Sequence, residues 1–187
     1  MITVENQLFS LHTRHTSYLF RVMETGHLEH LYYGRKIHPA IDGLMEQHAF
    51  APGNTNIYDS EHLQFSLEDA CLEMSSFGKG DIREPFVELT LSDGSETSDF
   101  LFEKFEQGTG KEEFETLPGS YDESGEVEWL GVTLRDKNSG VILELHYYVY
   151  EDCDVITRSA KLINESGDVV KLNRLMSLQL DLEPSDY

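Results

Sequence analysis

Apolar and polar positions along this chain group into short runs bounded by turn-forming residues. Leu8-Phe9-Ser10-Leu11-His12 and Ser17-Tyr18-Leu19-Phe20-Arg21-Val22 are aromatic and β-branched, and polar Thr13 to His15 divides them, so the pattern predicts a hairpin. His30-Leu31-Tyr32-Tyr33-Gly34 follows a Thr25-Gly26 turn and stops before Arg35-Lys36, predicting a further strand. From His38 to Glu61 neither a period of 2 nor one of 3.6 persists, and Pro39, Gly43 and Pro52-Gly53-Asn54 interrupt the chain. A long ordered loop is expected there, and loops of that length in a domain are more often functional than decorative.

Ser66 to Met74 places Leu67, Ala70, Cys71 and Met74 at helical spacing before the break Ser75-Ser76-Phe77-Gly78, so a short helix or turn is expected. Phe86 to Leu91 alternates, Asp93-Gly94 is a hairpin turn signal, and Asp99 to Phe105 resumes in strand fashion; a hairpin is the strongest local expectation. Lys111 to Glu128 carries seven acidic residues and one lysine without apolar period, which predicts a solvated loop. Trp129 to Arg135, Val141 to Tyr150 and Val155 to Asn164 read as strands, and Val169 to Leu182 as one long strand or two. Strand follows strand with no βαβ alternation or internal repeat, so the fold class is all-β, a sandwich with one long loop and at most a short helix.

At 187 residues, with 39% hydrophobic and 11% aromatic content, the chain can bury a substantial core as one sandwich domain. Its 35 acidic against 14 basic residues give a formal charge of -21, which repels phosphate backbones and anionic lipid and argues against nucleic acid or membrane as partners. Cys71 and Cys153 lie far apart without a CxxC spacing, as in reduced cytosolic proteins, and the first ten residues lack the basic start and apolar run of a signal peptide. A cytoplasmic location is expected.

Eight histidines raise the question of a metal, but His12/His15 and His27/His30 stand three apart, which in a strand sends the rings to opposite faces, and no further ligands complete a set. No metal or cofactor is expected. Carboxylates are so abundant that pairing any two as glycosidase acids carries no information, and no nucleophile elbow or phosphate loop is present. Two stretches say more. In Gly78-Lys79-Gly80-Asp81-Ile82-Arg83-Glu84-Pro85, Asp81 and Arg83 share a face if extended, and Arg83 can bond a carboxylate or sugar diol bidentately, or make only a local surface ion pair. In Val155 to Glu165, Arg158 is embedded in an otherwise ordinary alternating strand.

His30-Leu31-Tyr32-Tyr33-Gly34, Gly78-Lys79-Gly80-Asp81-Ile82-Arg83, Val155-Ile156-Thr157-Arg158-Ser159, Leu175-Met176-Ser177-Leu178 and Ser185-Asp186-Tyr187 together resemble, in order and interval, the amino-terminal region of glycoside hydrolase family 36 α-galactosidases. The resemblance covers nearly the whole chain. It implies a β-supersandwich of the galactose-mutarotase-like type, preceding a catalytic (β/α)8 barrel of the same polypeptide that releases terminal α-galactose from melibiose or raffinose with retention. No catalytic residue is then expected in this chain. It also implies a tetramer in which the long loop lines a galactose pocket, placing Gln47, His48 and Phe50 there and giving Asp81, Arg83 and Arg158 a structural or interface role. Relatives often carry an acidic and a basic residue before Ala-Phe-Ser-Pro; this chain reads Gln47-His48-Ala49-Phe50-Ala51-Pro52, and Gln47 can hydrogen-bond a hydroxyl but supplies no charge. Two other readings remain: an independent carbohydrate-binding module using Tyr32, Tyr33, Trp129 or Tyr147, and a sandwich enzyme acting on sugars through a His and carboxylate pair.

Overall fold

In the computed structural model, residues 1–38, 44, 57–114 and 118–180 are described. Their strands are β1 (Ile2–Glu5), β2 (Leu8–His12), β3 (Thr16–Val22), β4 (Leu28–Arg35), β5 (Val87–Thr90), β6 (Phe100–Thr109), β7 (Glu128–Asp136), β8 (Ile142–Tyr150), β9 (Val155–Ile163) and β10 (Lys171–Leu175). All pair antiparallel, in a meander β1-β2-β3-β4, a second meander β6-β7-β8-β9 and a two-stranded ribbon β10-β5. The architecture is the expected all-β sandwich, and the only helical turns among the described residues are 3-10 turns at Leu67–Asp69 and Glu151–Cys153.

The two meanders pack through their alternating inward residues. Phe9, Leu11 and Phe20 from the first meet Leu130, Val132, Leu134, Leu143, Leu145 and Tyr147 from the second, all at most 1% exposed. Phe20 stacks on Tyr147 at 5.1 Å between centroids, and Phe9 meets Phe105 edge-on at 5.5 Å. Each such side chain gains about 1.5–3 kcal/mol on burial, so the shared apolar face decides which strands face one another.

Residues 71–76 join the first meander to the ribbon. The His30 amide donates to Cys71 O and the Glu73 amide to Leu28 O, so the segment begins as an added strand beside β4. Two residues later the amides of Phe86 and Val87 donate to Ser75 O, and pairing has passed to β5.

Three expectations are corrected. Strand β1 was not foreseen; it pairs with β2 across Asn6 and Gln7, whose φ values of 50° and 63° suit a two-residue hairpin turn, although Gln7 is not a usual resident of that region. The Asp93-Gly94 turn does form, with Gly94 at φ 84° and the Leu91 amide bonded to Ser95 O. It does not make a hairpin, because β5 pairs with β10 whereas β6 crosses to the second meander and pairs with β7. Of Val169 to Leu182, only Lys171–Leu175 is strand; residues 176–180 are not, and 181–182 lie outside the described residues.

Candidate functional site

The expected pocket residues Gln47, His48 and Phe50 lie outside the described residues, as do Ser185, Asp186 and Tyr187. The described residues at both flanks of the stretch around Gln47 are held by hydrogen bonds. On the near side, Lys36 Nζ donates to Thr13 O at 2.7 Å and the Ile37 amide to Ser17 Oγ at 3.0 Å. On the far side Tyr58, 7% exposed, donates its hydroxyl to Asp99 Oδ2 at 2.9 Å and meets the edge of His27.

Asp99 is the hub of that anchor. With Asp99 ionised, His27 Nε2 donates to Oδ1 at 3.0 Å while His27 Nδ1 accepts from Thr25 Oγ1 at 2.9 Å. Lys79 Nζ stands 3.6 Å from Oδ2 and 4.8 Å from the Tyr58 ring centroid. Burial pushes the Asp99 carboxyl up, but the bonds from His27 and Tyr58 and the charge of Lys79 hold it below the ordinary carboxylate range. Tyr58 is pushed up by burial and by Asp99. A second knot follows at Asp59, whose Oδ1 accepts from the amides of Glu61 and His62 and pairs with His62 Nδ1.

Beyond this anchor the chain is gripped by two arginines. Arg83 bonds Asp81 bidentately, Nε to Oδ1 at 2.8 Å and Nη2 to Oδ2 at 2.9 Å, and Nη2 also reaches Leu67 O at 3.0 Å. Asp81 is thus the bidentate partner, with its side chain 1% exposed. Arg158 projects from β9 toward the interior, where Nη2 donates to Glu73 O at 2.9 Å and Nη1 lies 2.9 Å from Glu73 Oε1. Its guanidinium lies 5.2 Å from the ring centroids of both Phe86 and Tyr147. The structure does not bring Arg158 into the Asp81–Arg83 pair; the two arginines hold opposite ends of residues 67–73.

Glu73, absent from the sequence-based expectations, is the centre of this second cluster. Its carboxylate is wholly buried and accepts from Tyr18 Oη at 2.8 Å and Tyr147 Oη at 2.7 Å, while His30 Nδ1 stands 3.3 Å away, off line for a hydrogen bond. Burial alone would raise its pKa, but Arg158, His30 and Tyr147 hold it below the ordinary value, and Tyr18 and Tyr147 are driven well above theirs, first by their own burial. A carboxylate enclosed on every side fixes a fold and meets no substrate. The signal for it lay in Leu72-Glu73-Met74, a charge between apolar neighbours, but nothing local names its partner.

Neither Cys71 nor Cys153 forms a disulfide, and among the described residues no group of three His, Cys, Asp or Glu side chains converges to hold a metal. Of the aromatics considered for sugar contact, Tyr147 is corrected: at 1% exposure it is core, because β8 turns it inward beside Leu145 and Val149. Tyr33 is 47% exposed, and Tyr32 donates its hydroxyl to Arg35 O.

The described residues form an antiparallel β-sandwich module held by two buried charged clusters, one around Asp99 and one joining Glu73 to Arg158. The family follows from comparison: residues 26–187 match the Glycosyl hydrolase family 36 N-terminal domain, and the chain belongs to that family. It is 30% identical over 188 residues to the bifunctional α-galactosidase/sucrose kinase AgaSK of Mediterraneibacter gnavus, an alignment covering 97% of this chain and 19% of that protein. Its fold superimposes on the α-galactosidase of Lactobacillus brevis with a TM-score of 0.87 at 34% identity, covering 96% of this chain and 25% of that one. A variant of α-galactosidase AgaA from Geobacillus stearothermophilus, in complex with raffinose, superimposes with a TM-score of 0.85 at 30% identity over the same shares. The chain therefore spans about a quarter or less of the length of these relatives.

Proposed function

We propose that this chain is the non-catalytic amino-terminal domain of a cytoplasmic, retaining α-galactosidase, acting in assembly and in completing a pocket for substrates such as melibiose or raffinose. The observation that carries the reading is the alignment of almost the entire chain with one quarter of α-galactosidases of the same fold. In this reading hydrolysis belongs to a following (β/α)8 barrel, and the chain's part is to present residues 38–61, with Gln47, His48 and Phe50, to the pocket of its own or a neighbouring subunit of a tetramer. The two flanking anchors and the Asp81–Arg83 and Glu73–Arg158 pairs give that loop a rigid base, which a pocket wall requires. Val169, Leu172, Met176 and Leu178 are 83%, 47%, 38% and 52% exposed, and these bare apolar groups suit packing against the barrel.

The test is hydrolysis of p-nitrophenyl α-galactoside by residues 1–187 alone and by the full-length gene product with and without them. Activity is expected only in the intact product. Turnover by the 187 residues alone would overturn the proposal and return attention to a catalytic pair within them.

A further inference from the structure

The outer face of the second meander, turned away from the core, carries an aromatic floor in Trp129, while Tyr148 beside it is 3% exposed beneath Lys111, whose Nζ stands 4.0 Å from its ring centroid. On β7 the side chains of Trp129 and Thr133 point outward with Gly131 between them, and β8 adds Glu144, His146 and Tyr148. Gly108 of β6 is the direct cross-strand neighbour of Trp129. A Cβ built on Gly108 would meet Trp129 Nε1 at 2.9 Å and Cε2 at 3.0 Å, and one on Gly131 would meet Cζ3 at 3.6 Å. Neither glycine has a positive φ, so what these positions supply is space rather than backbone freedom. The indole lies across both, close against the sheet, where any larger residue at 108 would lift it.

Above this floor is a hollow of about 450 Å³, which meets a second of about 550 Å³ at Glu112, His146, Tyr148 and Lys161. Each falls within the range of small-ligand sites. The charges around the floor offset one another: Lys104 Nζ is 2.7 Å from Glu106 Oε1, Lys161 Nζ and His146 Nε2 are 3.5 and 3.4 Å from the same Glu144 Oε2, and Lys111 lines the second hollow together with Glu112 and Glu113. No excess positive charge is left to attract a phosphate, and the protein's formal charge of -21 opposes any anion. What the hollow offers is an aromatic face ringed by both donors and acceptors. In the adjoining second hollow, Ser159 Oγ is buried without a hydrogen-bond partner. That combination suits a neutral pyranose, whose C–H face lies on an aromatic ring while its hydroxyls bond around the edge.

We propose that the outer face of β6–β9, floored by Trp129 and edged by His146 and Glu144, is a binding site for a neutral oligosaccharide. The choice of raffinose as probe rests on the α-galactosidase reading, but binding here requires no hydrolysis. Failure of this site would leave that reading standing, and failure of that reading would leave the titration valid. Trp129 is the sole tryptophan of the chain, so its fluorescence reports on this face alone.

Raffinose titrated into the 187-residue chain is expected to change that fluorescence saturably with a Kd of about 1–10 mM, and saturation-transfer NMR is expected to show the sugar bound. His146→Ala, an outward-facing change on β8, is expected to leave the thermal transition in place and weaken binding about tenfold, with Trp129→Leu abolishing the NMR signal. A flat fluorescence titration together with no saturation transfer overturns the proposal. So does binding that is equally strong in both variants, since the sugar would then lie elsewhere.

Discussion

Arg158 shows what one residue can and cannot disclose. A charge within an alternating strand is conspicuous, yet its partner Glu73 is 85 positions away in the chain and stands in a segment whose spacing resembles a helix. Once paired, the two are expensive to separate, because either one alone would be an uncompensated charge among Phe86, Tyr147 and Tyr18. Glu73→Gln and Arg158→Met are each expected to lower the unfolding free energy by about 3–5 kcal/mol, and the double variant by clearly less than the sum of the two. Urea unfolding of the four proteins measures the coupling, and additive losses would show that the pair contributes nothing as a pair. The Asp81–Arg83 pair is of another kind, two residues apart and visible in the sequence as a motif; the structure adds that the Asp81 side chain is buried and that Arg83 also holds Leu67 O.

Among elements, the long alternating strands β3, β7, β8 and β9 were legible because side chains in a strand point to opposite faces in turn, so a buried face must repeat every second residue. Strand β1 was not, being four residues long and joined by a turn without glycine. Gln7 sits there at φ 63°, where an L side chain is disfavoured, so Gln7→Gly is expected to stabilise the chain by about 1 kcal/mol, read as a rise in the thermal midpoint. A fall would indicate that the Gln7 side chain makes a compensating contact. The expected hairpin between β5 and β6 failed for a different reason. Gly94 turns the chain as its sequence requires, but a turn fixes only a change of direction, and β5 goes on to pair with β10 while β6 pairs with β7.

Over the whole molecule the hydrogen-bonded carboxyls and buried tyrosines set limits to the pH range of stability. Glu73 and Asp99 are held below their ordinary values of 4.5 and 3.8, and Asp154 is held down to about 2 by its bonds from His15 and Thr13. Carboxyls depressed in the folded state contribute stability above their unfolded pKa and lose it as pH falls through the folded one. Tyr18 and Tyr147, raised above 10.0, contribute stability below that pH and lose it as pH rises further. The urea midpoint is therefore expected to decline below about pH 4.5 and again above about pH 10, with the acid decline reduced in Glu73→Gln/Arg158→Met. A midpoint that rises on acidification would contradict the ionised state assigned to Glu73 and Asp99. The sequence by itself determined the all-β class, the faces of the long strands, the charge and the order of motifs that mark the family, since these follow from local geometry, composition and spacing. Only the tertiary structure decided that β5 pairs with β10, that Glu73 meets Arg158, and that Trp129 lies across Gly108. Each joins residues far apart in the chain, and that choice depends on the total surface buried when the sheets close, which no local stretch of sequence contains.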